Sequence, residues 1–289
     1  MNKGLVETVT DFFKPQAPLW SCELTTRHVI IAGVNSRRNK ISDKFAAELS
    51  TGKDVKDARP LVQALLSEVK FKGSEIAVVV PDSTARIAFL TAENPSNNPE
   101  EQQTFIRWKL KKSIPFDVDT AQVAYRILGP HSGGPGVDML VALSPRAVIR
   151  EYETLFDALD IHAGLVLPST LAALNLVTPP SGDGLFVKVA PDCVTTTVFQ
   201  GRRIQFYRRV TDASLYDAVY PTVLYYQDKL GGNALQHLYV CGYDGDLQMS
   251  LEEIQMKLGL SAQRLEPKAV DDIYKPALGA IHLKPNGVL

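Results

Sequence analysis

The sequence predicts a duplicated α/β fold. Three features carry the prediction: an order of elements that occurs twice, a short fully apolar strand in each copy, and an α+β segment between the copies. In the first copy, β-rich runs at Leu19–Leu24, His28–Val34 and Phe45–Leu49 come before a helix. Asp57 precedes that helix, Leu61, Leu65, Leu66 and Val69 recur on one face of it, and Gly73 ends it. Ile76–Val80 is wholly apolar and closed by Pro81 and Asp82, so it reads as a strand covered on both faces.

The second half repeats the order strand, strand, strand, helix, strand. Leu185–Val189, Val194–Phe199 and Ile204–Tyr207 are the strands, with Gly201 joining the last two. Leu215, Val219, Val223, Tyr226 and Leu230 then share a helical face, on which Pro221 predicts a kink or the true helix start. Gly231-Gly232 stops the helix and Leu238-Tyr239-Val240 is the buried fourth strand. Ser250 with Glu253 reads as a capping box for a helix over Leu251–Leu258. A strand near Ala262–Leu265 and a helix near Ala269–Ile281 complete the copy.

Between the copies, Asn98-Pro99-Glu100-Glu101 is a strong helix start: an Asn cap, Pro at the first position and acids at the positive end of the dipole. Phe105, Ile106, Trp108 and Leu110 follow, and Pro115 stops the helix. Strands at Gln122–Leu128 and Asp138–Leu143 flank the glycine-rich loop Ser132–Gly136. A helix with Val148, Tyr152, Leu155, Phe156 and Leu159 on one stripe leads to a strand at Gly164–Leu167. The expected division is an N-terminal arm at 1–16, a first domain at 17–96 plus 168–180, an inserted α+β subdomain at 97–167 and a second domain at 181–289.

Composition narrows the function. The 289 residues suit two modest domains with their own cores. Thirty-one basic against thirty-two acidic residues give a net charge of −1, so no long-range field draws the chain to nucleic acid or anionic lipid. Cys22, Cys193 and Cys241 lie far apart in apolar runs, which predicts buried reduced thiols and a reducing compartment. Met1–Pro15 lacks a signal peptide's apolar core, and no apolar run approaches a membrane span. Leu5, Val6, Val9, Phe12 and Phe13 have helical spacing, so the arm either packs on its own domain or docks on a partner or membrane surface. His28, His131, His162, His237 and His282 show no metal spacing. Asp271-Asp272 and Glu252-Glu253 read as helix-starting or solvated acids, and Ser132–Gly136 lacks the context of a phosphate loop.

The run Phe105-Ile106-Arg107-Trp108-Lys109 through Ser113-Ile114-Pro115-Phe116-Asp117-Val118-Asp119 resembles the type IV pilus assembly protein PilM family. The resemblance continues through Leu155–Ile161, Pro168–Leu174, Val223–Gln227 and Ala277–Ile281, nearly the whole chain after Pro18. It implies duplicated actin-like, ribonuclease H-like domains and kinship with the cytoplasmic domain of the type II secretion protein GspL. It also implies a cytoplasmic scaffold at the inner face of the bacterial inner membrane. The family binds the cytoplasmic tail of PilN, a bitopic membrane protein, beside the insert. A pilus motor ATPase or other platform proteins are further implied partners.

Against the family's nucleotide site the sequence departs at three places. Glu23 stands for the first acid, but Thr25 replaces the glycine and is followed by Thr26, and Ile30 stands where lysine is usual. In the second loop, Lys188-Val189-Ala190-Pro191-Asp192, the acid has become Lys188 and Pro191 lacks a backbone donor. The adenosine motif retains Gly242 but continues with Tyr243. The short distance from Arg209 to Tyr225-Tyr226 predicts a truncated second-domain subdomain, which leaves the cleft without an upper jaw. The expectation is therefore a protein without enzymatic activity, cofactor or metal. The alternatives are a divergent actin-like ATPase and a filament former similar to FtsA.

For the partner's tail, Arg86, Ile87 and Phe89 of one strand and Val123 and Tyr125 of another are the expected contacts, through backbone addition and side-chain pockets. The basic clusters Arg107–Lys112 and Arg202, Arg203, Arg208, Arg209 are solvated faces or surfaces for acidic lipid or a partner.

Overall fold

The computed structural model describes residues 17–49, 54–177, 182–201, 203–243 and 247–281. The expected N-terminal arm lies outside them, as does Arg202.

The chain forms two five-stranded sheets of one topology and a smaller third. In the first domain, β1 (Trp20–Leu24), β2 (His28–Val34) and β3 (Ile41–Glu48) form an antiparallel meander, and β4 (Glu75–Val80) and β8 (His162–Pro168) add in parallel, in the order β3-β2-β1-β4-β8. In the second, β9 (Asp183–Val189), β10 (Val194–Gln200) and β11 (Arg203–Val210) form the meander, and β12 (His237–Gly242) and β13 (Ala262–Arg264) add in parallel, in the order β11-β10-β9-β12-β13. The duplication read from the element order is thus real at the level of strand pairing.

Period-two alternation decides which layer each residue joins. On β4, Ile76, Val78 and Val80 face helices α1 (Arg59–Glu68) and α3 (Arg146–Asp157), packing with Val62, Leu65, Leu66, Tyr152, Leu155 and Phe156. Ala77 and Val79 point the other way, onto α4 (Ser169–Leu174) and α7 (Lys275–Ile281). Those two short helices lie against each other and share one core with Phe186, Phe199 and Ile204 of the second sheet. The far face of the second sheet is covered by α5 (Leu215–Lys229) and α6 (Leu247–Leu258), with Leu185, Val187, Val219, Tyr226 and Ile254 buried between. Each sheet is therefore covered on both faces, and the continuous apolar strands follow from that.

The insert is built differently from the expected 97–167 unit. Its sheet has the order β5-β7-β6, formed by β5 (Arg86–Ala92), β6 (Ala121–Pro130) and β7 (Val137–Pro145). So β5, assigned from sequence to the first domain, belongs to the insert. The strand at Gly164–Leu167 and the helix before it belong to the first domain, where Val78 pairs with Val166. Helix α2 (Pro99–Leu110) covers one face of the insert sheet through Ile106 and Leu110, with Asn98 accepting a hydrogen bond from the Glu100 amide as its cap. Trp108 stands out from the same helix, 69% exposed.

Three local readings also change. Ser250 is interior to α6, which begins at Leu247, so the capping box with Glu253 does not form. Glu253 pairs instead with Lys257 at 2.7 Å. Helix α5 starts at Leu215 behind Ser214, whose hydroxyl accepts from the Asp217 amide, and it runs through Pro221. The last helix is delayed to Lys275 by a 3-10 turn at Asp272–Tyr274. Only residues 211–214 join β11 to α5, so the second domain's subdomain is truncated as expected.

Candidate functional site

The carboxyl ends of β1, β4, β9 and β12 meet between the two sheets, the place where open α/β folds bind ligands. They carry Glu23, Asp82, Lys188 and Tyr243, and the first turn of α4 adds Ser169 and Thr170. Glu23, Asp82 and Lys188 are all buried, which for charged groups demands mutual compensation.

Hydroxyl and amide donors converge on the two carboxylates, while the buried Tyr207 hydroxyl close by makes no hydrogen bond. Glu23 Oε1 accepts from the hydroxyls of Ser169 and Tyr243. Asp82 accepts from the Thr170 amide at 2.8 Å, from the Thr170 hydroxyl, and from the Thr195 hydroxyl at 3.1 Å. Glu23 Oε2 is buried without a hydrogen-bond partner. The Lys188 ammonium lies 4.9 Å from the centre of the Tyr243 ring. Burial lowers the Lys188 pKa, but Asp82 and Glu23 outweigh it and hold the ammonium above its ordinary value. Burial raises Glu23, against the pull of Lys188 and its two hydroxyl donors. Burial and the Glu23 charge push Tyr243 well above the usual phenol value.

These contacts also tie the domains together. Tyr243, Lys188 and Thr195 come from the second, while Glu23 and Asp82 come from the first. The folded state holds the Lys188 and Tyr243 protons more tightly than the unfolded chain does. Their stabilisation is fully present below the ordinary values of 10.5 and 10.0 and is lost as pH rises above them. The urea midpoint is expected to fall steadily above about pH 10, and less steeply in Tyr243→Phe. Equal slopes in the two proteins would remove Tyr243 from this account.

The residues singled out in the nucleotide loops separate here. Glu23, Lys188 and Tyr243 come together. Thr25 and Thr26 form a closed turn between β1 and β2: the Thr25 amide donates to the His28 carbonyl at 2.9 Å, and the Arg27 and His28 amides donate to the Thr25 hydroxyl at 3.1 and 2.7 Å. Asp192 sits on the β9–β10 turn, where the Ala190 amide donates to the Cys193 carbonyl at 2.9 Å. Gly242 ends β12 opposite Val189. Sequence reasoning missed Asp82, Ser169, Thr170 and Thr195. For Asp82 a signal existed, because an acid directly after a buried parallel strand stands where ligands are bound.

The expected tail-binding residues do not line one groove. Ile87 and Phe89 point from the insert sheet toward the second domain's core, whereas Val123 and Tyr125 point to the opposite face, under α2. Arg86 is exposed at the start of β5. Among the basic clusters, Arg107 is spent internally, donating to the Val118 and Ala121 carbonyls at 3.2 and 3.0 Å, and Lys111 pairs with Asp119. The three cysteines are buried, as expected. A groove of about 800 Å³ between the 3-10 turn at Val55–Ala58 and α3, lined by Asp54, Arg59, Arg150 and Glu151, shares no residue with the buried cluster. Among the described residues no group of His, Cys, Asp and Glu has metal-holding geometry, and no helix is long and apolar enough to cross a membrane.

No family model and no curated protein matches the sequence. Solved structures do match the fold. A chain of the PilM-PilN type IV pilus biogenesis complex superposes with a TM-score of 0.74 at 14% identity, covering 94% of this chain and 100% of that one. A Bacteroides thetaiotaomicron protein with an actin-like ATPase fold and unknown function gives 0.60 at 13% identity, covering 92% and 97%. The cytoplasmic domain of EpsL, an inner-membrane component of the Vibrio cholerae type II secretion system, gives 0.56 at 11%, covering 92% and 96%. The chain therefore has the actin-like fold, duplicated and carrying an insert, and its resemblance to PilM extends from short sequence runs to the three-dimensional architecture.

Proposed function

We propose that this chain is a cytoplasmic adaptor of a type IV pilus-like inner-membrane platform, holding the tail of a PilN-like bitopic protein without hydrolysing ATP. The likeness to PilM over the length of both chains supports the adaptor role. The buried Lys188 ammonium beside Glu23 and Asp82, under the Tyr243 ring, carries the second half of the reading.

Magnesium with its triphosphate needs carboxylate and water oxygens around a free volume. An ammonium among those carboxylates repels a dication, and the Tyr243 ring occupies space beside it. Phosphate also needs free backbone amides. Those of Thr25, Arg27, His28 and Ala190 already have partners, and Pro191 has none to give. The fold keeps the two-domain frame, and its remaining use is to present surfaces to other proteins.

Calorimetric titration with ATP and magnesium should give no binding heat at millimolar nucleotide. Saturable binding would return the chain to the divergent ATPases. Co-expression with a PilN-like bitopic protein from the same genome should yield a membrane-bound complex that is lost when that protein's cytoplasmic residues are deleted. Large nucleotide-dependent polymers on sedimentation would instead favour an FtsA-like filament former.

A further inference from the structure

The insert touches the second domain as well as the first, and the contact is specific. Ile87 and Phe89 of β5 and Leu128 of β6 pack on the core that holds Phe199 and Ile204 of the second sheet. Beside this apolar contact, Arg203, the first residue of β11, reaches across to the β6–β7 hairpin. Its guanidinium donates to the Pro130 carbonyl at 2.9 Å and lies 3.7 Å from Asp138 Oδ2.

Asp138 is itself held in place. Its other oxygen takes the Thr91 hydroxyl at 2.9 Å and meets His131 Nδ1 at 2.7 Å. Gly129 has φ +133, a backbone conformation that favours glycine, and a Cβ there would stand 2.5 Å from the end of the Arg203 guanidinium and push it from its place. Four segments, β5, both arms of the hairpin and β11, therefore converge on one charge-assisted contact between two parts of the molecule.

The topology gives the contact its meaning. The first sheet joins the second through α4 and α7 and joins the insert through β4–β5 and β7–α3, where the Ser144 hydroxyl donates to the Thr84 carbonyl at 2.6 Å. A link from insert to second domain closes this chain of contacts into a ring. The shared core and the Tyr243–Glu23 and Thr195–Asp82 hydrogen bonds hold the domains at the centre of their junction, and a ring closed at the rim resists rotation about that centre because it opens only by breaking a further link. We propose that the β6–β7 hairpin and Arg203 form a strap that holds the two actin-like domains at one fixed angle, so that the surface shown to other proteins does not depend on a bound ligand. This holds whichever assembly the chain serves.

Spin labels at Gln63→Cys on α1 of the first domain and Gln227→Cys on α5 of the second would report the angle, since both sites are exposed and the three native cysteines are buried. The otherwise unaltered protein should give one narrow distance distribution, unchanged by ATP and magnesium. Arg203→Glu and Gly129→Ala attack the strap from opposite sides, and both should broaden the distribution toward longer distances. Hydrogen exchange in β4 and β12 should stay protected in both variants, showing that the sheets remain folded. Unchanged distances in both variants would overturn the strap. So would loss of protection in β4 and β12, which would make Arg203 a folding residue.

Discussion

Lys188→Met is expected to destabilise the protein by about 3–5 kcal/mol at neutral pH, the cost of leaving buried carboxylates without their counter-charge. Methionine fills nearly the same volume, so the loss is electrostatic. Asp82 keeps its three donors from Thr170 and Thr195, and Glu23 keeps Ser169 and Tyr243, but Glu23 Oε2 has nothing to share its charge with. The sign of the pH dependence follows from burial. Burial holds the folded pKa of Glu23 above its ordinary 4.5, and removing Lys188 removes the charge that pulls it down. The variant's folded state therefore takes up a proton more readily than its unfolded chain. Its deficit should shrink as pH falls from 7 toward 5 and grow as pH rises. Adding Glu23→Gln should restore most of the loss, since replacing both partners of a buried pair by neutral groups is far milder than removing one. Urea denaturation of the single and double variants at the two pH values tests this. A single variant as stable as the parent at pH 7 would mean that the ammonium compensates nothing.

The charge reversal at position 188 was legible through the resemblance, which sets Lys188 where the family's second loop has an acid. Of its partners only Asp82 left a local sign, as an acid directly after a buried strand, and nothing local connected it to the others. Asp82, Ser169 and Thr195 lie on three elements separated by 87 and 26 residues along the chain, and each looks locally like an ordinary strand end, helix start or strand residue. Only the pairing of β1 with β4, and the helices bridging the sheets, bring them within hydrogen-bonding distance.

The same limit explains the fold. Meanders and their helices were readable because the turn chemistry and periodicity that make them are local. The exchange of β5 for β8 was not, because both are short apolar strands next to a connection. Their alternation cannot say which sheet's edge they join. Ser250 with Glu253 has the spacing of a capping box, but Ile254 is pinned in the core with Leu215 and Val219, and the helix that carries it extends further toward its start than the motif allows. Tertiary packing overrode a correct local signal.

The contact between α4 and α7 shows how far the domain junction depends on one missing side chain. Gly279→Ala is expected to cost at least about 3 kcal/mol, at the upper end for overpacking a core. A Cβ at Gly279 would stand 2.0 Å from the Ala172 carbonyl oxygen. The obstacle is backbone, so no smaller residue on α4 relieves it, and the two helices must separate. Separation breaks more than one contact. The Asn175 side chain donates to the Gly279 carbonyl at 3.2 Å, and the Ser21 hydroxyl, on β1, donates to the Ala277 carbonyl at 2.7 Å. Ala277, Leu278, Ala280 and Ile281 are all fully buried in the core shared by the two sheets. Lifting α7 therefore exposes the junction and leaves each sheet's outer layer, with α1 and α3 or α5 and α6, in place. Thermal unfolding followed by calorimetry should change from one transition to two, the earlier one belonging to the junction. A Gly279→Ala protein that melts in a single transition at the parent temperature would show that the helices can part at little cost, and that the domains are joined elsewhere.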